Sequence, residues 1–195
     1  MKTPTETLGW IVAAVMACSG AAVLAQDKFQ ANIERSAVAR LDQAVAVRRA
    51  GDLDRAKKQL EQLTQQYPDY YRAVYNLGLA YADAGETKKA VDTLLKADAL
   101  RKRLAIDDPT LDNSIGWAYL LNWQYAKAEE HFALSLKNVN QLPKSSQARL
   151  YNNYAQLKIY QHNYAEAQKY LQLSTTKGSA VAEQTLKQLS PQLAR

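Results

Sequence analysis

Two histidines, one pair of adjacent aspartates, one cysteine and one run of three cations are the side chains here with the most chemical potential, in a chain of 195 residues. His131 stands in Glu129-Glu130-His131. A metal site on a helix needs ligands at i and i+3 or i+4, because only those positions share a face, and consecutive residues do not. His162 adjoins Asn163 in a segment that reads as a turn. Asp107-Asp108 comes directly before Pro109, where carboxylates cap the start of a helix. Neither a Gly-rich phosphate loop nor a G-x-S-x-G elbow occurs. Cys18 is the only cysteine, so the body of the chain has no disulfide framework and no thiol chemistry. No catalytic residue, metal ligand or cofactor can be nominated, and the expectation is a protein that is not an enzyme.

Arg101-Lys102-Arg103 is the densest basic run, and it reads as the solvated last turn of a helix, where cations complement the helix dipole. The competing reading is a contact with anionic lipid or an acidic peptide. A net charge of +6 is too modest to argue for nucleic acid, and none is expected as a partner.

The elements that would position these residues are helical. Gly (7) and Pro (5) are scarce, and alternating β-branched patterns are missing beyond the first thirty positions. Lys2 leads into an apolar run, Leu8–Cys18, which Ser19-Gly20 interrupts before Val23-Leu24-Ala25. This pattern favours an exported protein with a signal peptide cleaved after Ala25. Two alternatives stay open: an uncleaved inner-membrane anchor over residues 8–25, and a lipoprotein modified at Cys18. All three place the body in the periplasm or at the cell envelope.

Self-similarity organises the remainder. Leu77-Gly78 is followed by Tyr81, Ala90, Leu94 and Ala97, and the same offsets return at Ile115-Gly116, Tyr119, Ala128 and Phe132. A weaker copy runs Tyr154-Ala155, Lys158, Ala167 and Leu171, and an upstream one runs Gln43-Ala44, Val47, Ala56, Leu60 and Leu63. The small residues Ala44, Gly78, Gly116 and Ala155 are 34, 38 and 39 positions apart. This spacing resembles the tetratricopeptide repeat (TPR) family, whose unit is a helix–turn–helix of about 34 residues. Departures are Arg40 at the first-helix aromatic, Lys158 for Tyr, and Ser179 for the closing Pro.

The expected fold is all-α: a right-handed TPR-like solenoid of about four repeats plus a C-terminal capping helix. Its segments are 1–25 (leader or anchor), 26–36 (linker or helix extension), 37–181 (repeats) and 182–195 (cap and tail). The units run about 37–70, 71–104, 109–142 and 148–181, with extra residues at 105–108 and 143–147. Ala44, Gly78, Gly116 and Ala155 let paired helices approach, with Ala56, Ala90, Ala128 and Ala167 facing them and Leu77, Ile115, Tyr154, Leu94, Phe132 and Leu171 filling the remaining space. Gly78 thus makes room for a helix rather than a ligand. Gly51 and Gly85 supply left-handed turns inside the first two units. Asn is the next-best residue for that task in Asn122-Trp123-Gln124 and Gln161-His162-Asn163.

The resemblance also implies a concave groove lined by the first helices, which binds a peptide or a partner's helix. Its lining here would be Arg72, Tyr75, Leu79, Asn113, Trp117, Leu121, Arg149, Asn152, Gln156 and Tyr160, with Val38, Leu41, Val45 and Arg48 from the first unit. Asn pairs with peptide backbone, Trp and Tyr give contact area at low entropic cost, and Arg holds acidic groups. Leu41 and Val45 occupy the positions of the family's carboxylate clamp, so that mode is not expected. The implied function is a protein- or peptide-binding scaffold in a bacterial envelope assembly. The alternative is a self-assembling structural protein with no peptide ligand.

Overall fold

Ala56, Leu60 and Leu63 recur at intervals of four and three residues, and they are the positions that the helix Leu53–Gln66 buries. Asp52 caps its start, accepting a hydrogen bond from the Arg55 amide at 3.2 Å. The computed structural model describes residues 35–193, with side chains described as far as Leu189. Residues 35–49 form α1, followed by α2 (Leu53–Gln66), α3 (Tyr71–Asp83), α4 (Thr87–Arg103), α5 (Leu111–Leu121), α6 (Tyr125–Lys137), α7 (Lys144–Tyr160), α8 (Tyr164–Thr176) and α9 (Ala180–Leu193). A 3-10 turn, Val139–Gln141, precedes α7. Among the described residues there is no strand, and no helix is long and apolar enough to cross a membrane. The leader expected at 1–25 lies outside the described residues.

The chain divides into two compact units after Gln43. In the first, residues 35–43 are helical, with Ala37 and Leu41 buried and Val38 exposed. The second, from Ala44 onward, is a serial stack. Within it α3 packs on α4, α5 on α6 and α7 on α8, while α2–α3, α4–α5 and α6–α7 join successive pairs. α9 closes the series against α8. Ala182 and Leu189 are buried with Ala155, Ala167 and Leu171, and Leu186 packs against that cluster. Glu183, Lys187 and Gln188 face outward, the polar outer surface that a terminal repeat needs.

The mid-helix glycines are explained by packing. A Cβ on Gly78 would lie 2.6 Å from Leu94 Cγ and 3.3 Å from the Leu94 amide nitrogen. One on Gly116 would lie 2.8 to 3.1 Å from three carbons of the Phe132 ring. Gly therefore makes room for the paired helix, as the repeat spacing predicts. Leu94 and Phe132, one turn beyond Ala90 and Ala128, fill the space above the two glycines. Ala44, Ala56, Ala90, Ala128, Ala155 and Ala167 are all fully buried.

The turns require a correction. The left-handed residue of the third unit is Trp123 (φ 60°) and that of the fourth is His162 (φ 58°); neither Asn is in that conformation. Asn122 stays at φ −94°, and Asn163 caps α8 by accepting from the Glu166 amide at 3.2 Å. The reason is register. Gly51, Gly85, Trp123 and His162 each follow the small residue of their first helix by seven positions. Helix packing fixes that interval, and with it the residue that must reverse the chain. Each turn closes with the same pair of bonds; in the third unit, Trp123 N donates to Leu120 O (3.0 Å) and Gln124 N to Tyr119 O (2.9 Å).

Pro143 is the break before α7, and of the extra residues placed between units at 143–147 the last four belong to that helix. Lys144–Gln147 are the first turn of α7, started by extended Pro143 and held by Gln147 Nε2 donating to Leu142 O at 2.9 Å.

Candidate partner-binding face

First helices α3, α5 and α7 are neighbours in the stack, and they carry all ten residues expected to line a groove. Arg72 and Arg149 are exposed, and Tyr160 is 49% exposed. Tyr75, Leu79, Trp117, Leu121, Asn152 and Gln156 are half-buried. Asn113 does not share this access. It is only 6% exposed, and its Oδ1 accepts from Asn153 Nδ2 at 3.2 Å.

Asn113 belongs to a ladder that ties each first helix to the next. Arg48 Nη1 donates to Asp83 at 2.6 Å, linking residues 35 apart. The Tyr75 hydroxyl shares hydrogen bonds with Ser114 Oγ (2.9 Å) and Thr110 Oγ1 (3.4 Å). Asn113 and Asn153 make the third rung. Ser114 and Asn153 were not singled out in the sequence, although each lies about one repeat length beyond its partner. Asn152, beside Asn153, has the opposite character: its Oδ1 is buried without a hydrogen-bond partner among the described residues. A buried acceptor left unpaired costs on the order of 1–3 kcal/mol.

A second set of polar contacts joins successive units through helices, turns and the linker after α4. Lys57 Nζ of α2 reaches Glu86 at 2.5 Å, and Thr87 Oγ1 donates to Asn122 at 3.0 Å. The Tyr71 hydroxyl donates to Asp108 at 2.7 Å, while the other oxygen of Asp108 receives the Thr110 amide at 2.9 Å. Burial, and then that bond, push the Tyr71 hydroxyl above its ordinary range. Among the described residues Lys158 is the most enclosed cation at 5% exposure, with Nζ 2.5 Å from Glu129, 3.4 Å from Glu166 and 4.8 Å from the centre of the Tyr154 ring. Burial opposes its charge, but the Glu129 carboxylate and Tyr154 outweigh it and raise Lys158 above the ordinary lysine value. Glu129 is held below its usual range, first by Lys158 and then by Gln161.

His131 packs over Tyr119, ring centres 5.6 Å apart, with Nδ1 3.1 Å from Asp112. Among the described residues no group of three His, Cys, Asp or Glu is placed to hold a metal ion. The basic run is engaged: Arg101 and Lys102 pair with Asp98, and Arg103 with Asp69.

The aromatic feature that sequence reasoning missed lies at the turns. Trp123 is 72% exposed, and its ring meets Tyr160 at 5.9 Å and Tyr125 at 6.2 Å. Its prominence follows from the left-handed position, which sequence reasoning had assigned to Asn.

Comparison with known structures agrees with this arrangement. A structure of pilF from Pseudomonas aeruginosa superposes with a TM-score of 0.68 at 16% identity, covering 83% of this chain and 70% of that one. A second, described as MamA MSR-1 C2, gives 0.53 at 19% identity, covering 71% of this chain and 74% of that one. Residues 41–109 match the family model for the tetratricopeptide repeat. The fold is a TPR-like solenoid. Curated protein sequences give no match. The family match covers the second unit of this solenoid and most of the first. The third unit continues the pattern through Gly116 against Phe132, and the fourth through Ala155, buried with Leu171.

Proposed function

We propose that this chain is a protein- or peptide-binding scaffold, exported and acting in a bacterial cell-envelope assembly, with the first-helix face of its solenoid as the binding surface. The supporting observation is the half-buried set Tyr75, Trp117, Asn152 and Gln156 on consecutive helices, held in register by the Arg48, Tyr75 and Asn113 rungs. The unpaired Asn152 Oδ1 suits a donor from a peptide backbone. The solenoid fold itself suggests protein–protein interaction, and the apolar run at residues 8–25 supports export. The reading is non-catalytic. A photo-reactive residue at exposed Arg149, with outward-facing Lys187 as control, tests it in cells. A discrete partner captured from Arg149 alone supports the first-helix face. Equal capture at both sites, or none, rejects that face and favours self-assembly or another surface.

A further inference from the structure

Fifteen residues after the small residue of its first helix, the second unit carries Thr93, the third His131 and the fourth Tyr170. In the third unit the imidazole stacks on Tyr119, ring centres 5.6 Å apart, with Nδ1 against Asp112. In the fourth the phenol ring meets Tyr154 edge-on at 4.6 Å and Tyr151 at 6.1 Å. The second unit has no ring at this position, although the rest of the arrangement is kept. Its Tyr81 matches Tyr119, and Lys89 lies over Tyr81 as Lys127 lies over Tyr119, both at 5.3 Å. Beside Tyr81 and Thr93 a cleft of about 820 Å³ opens instead, walled by α2 and α4 with α3 at its base.

We propose that this cleft takes the missing ring from outside, docking an aromatic side chain that a protein partner bears next to an acidic residue. The cleft shares no residue with the first-helix face: α3 gives it Val74, Leu77 and Tyr81, and gives that face Arg72, Tyr75 and Leu79.

The third and fourth units select the ring. Within the same chain they show what the space over these first-helix residues holds, a planar aromatic group packed on another. Val74, Leu77 and Tyr81 recur at intervals of three and four, so they form one side of α3 and a continuous base for such a group. Leu77 keeps 7% exposure where Ile115, its counterpart, has none. Covering that apolar surface is favourable, and an aromatic anchor in a pocket is the usual energetic centre of a protein interface. A cleft of this size has room for the ring and for the backbone that carries it.

Charge selects the acidic neighbour. Four ionic side chains line the cleft. Glu61 accepts from the Tyr81 hydroxyl at 2.7 Å, and Asp69 pairs with Arg103. Lys96 has no partner among the described residues. It follows Thr93 by three positions, on the same side of α4 and about one turn from where the ring belongs. A carboxylate adjacent to the ring in the partner's chain reaches it, since successive Cα atoms are only about 3.8 Å apart.

The test titrates the full chain with the blocked tripeptide Asp-Trp-Asp and follows the methyl resonances of Val74 and Leu77 by NMR. Both should shift, with a dissociation constant on the order of 1 mM for so short a probe. Asp-Ala-Asp and Lys-Trp-Lys should each bind at least about tenfold more weakly. Thr93→His, which copies the third unit, should keep or raise the melting midpoint and weaken Asp-Trp-Asp binding about tenfold or more. Thr93→Tyr, which copies the fourth, gives an independent block. No methyl shift at about 10 mM Asp-Trp-Asp, or binding indifferent to both Thr93 variants, overturns the inference. So does a shift of the Trp117 indole N–H without the two methyls, which puts the peptide on the first-helix face; failure of the cleft and failure of that face are thereby distinguishable. Equal binding of Lys-Trp-Lys overturns the acidic neighbour. Free indole binding as tightly as the peptide overturns the protein partner in favour of a small aromatic ligand.

Discussion

Three positions after the small residue of its first helix, the second unit carries Tyr81 and the fourth carries Lys158. Both are buried, at 9% and 5% exposure, and each meets a glutamate from the preceding unit. The Tyr81 hydroxyl donates to Glu61 at 2.7 Å, and Lys158 Nζ donates to Glu129 at 2.5 Å. The same position therefore accepts an aromatic alcohol or an ammonium, provided a carboxylate arrives from the neighbouring unit. The consequences differ. Burial, and then the Glu61 bond, push Tyr81 up to about 12, so it remains neutral throughout ordinary conditions. Lys158 is charged, and losing its partner would leave an ion in the interior. The second unit is tolerant at this position, and the fourth is conditional on its partner.

The sharpest way to break the comparison is to remove the partner in the fourth unit. Glu129→Ala leaves Lys158 with Glu166 at 3.4 Å as its one carboxylate, and stability should fall by about 2–3 kcal/mol, less than for a fully buried pair because the Glu129 side chain is 40% exposed. Chemical denaturation measures it. Lys158→Tyr, which copies the second unit, should cost less than about 1.5 kcal/mol. The ionic link also has a pH signature. Glu129 is lowered on folding, so its contribution is complete above the ordinary value of 4.5 and is lost as pH falls below it. Lys158 is raised, so its contribution is complete below 10.5 and is lost as pH climbs beyond it. Glu129→Gln should flatten the acid-side loss of melting temperature; an unchanged acid limb would show that the pair carries no pH-dependent stability.

Next in size is the close approach of helices. Gly78→Leu drives a side chain into Leu94 and should cost about 1–3 kcal/mol. An unchanged melting midpoint would refute the packing role of Gly78. The smallest effect is expected at the turns. Gly85→Ala should destabilise by about 1–2 kcal/mol through its left-handed backbone. The reciprocal Trp123→Gly should be neutral or stabilising in the same thermal melt.

The parts of this molecule legible in the sequence were those fixed by volume at a constant interval. Gly78, Gly116 and Ala155 announced the helix pairs because bulk at those positions is excluded by the partner helix. Trp123 and His162 were missed as left-handed residues because the intrinsic preference of Asn was set above the seven-residue interval from the small position. Asn113 was read as open to a ligand, and its burial depends on Asn153, 40 residues away. Lys158 was visible as a departure from the repeat, but its burial depends on Glu129 from α6. Pairings across units cannot be read from either unit alone, whereas spacing within a unit can.

The rungs between units have a consequence for how the chain reaches its native state. Arg48–Asp83, Tyr75–Ser114 and Asn113–Asn153 join residues 35, 39 and 40 apart. Each of these closures is thus about one repeat long, and the entropy of closing a loop rises only slowly with its length. A chain emerging from a ribosome, or from a membrane pore, N-terminus first can complete each rung as soon as the next helix pair appears. The expected route is addition of successive helix pairs, each docking on the one before.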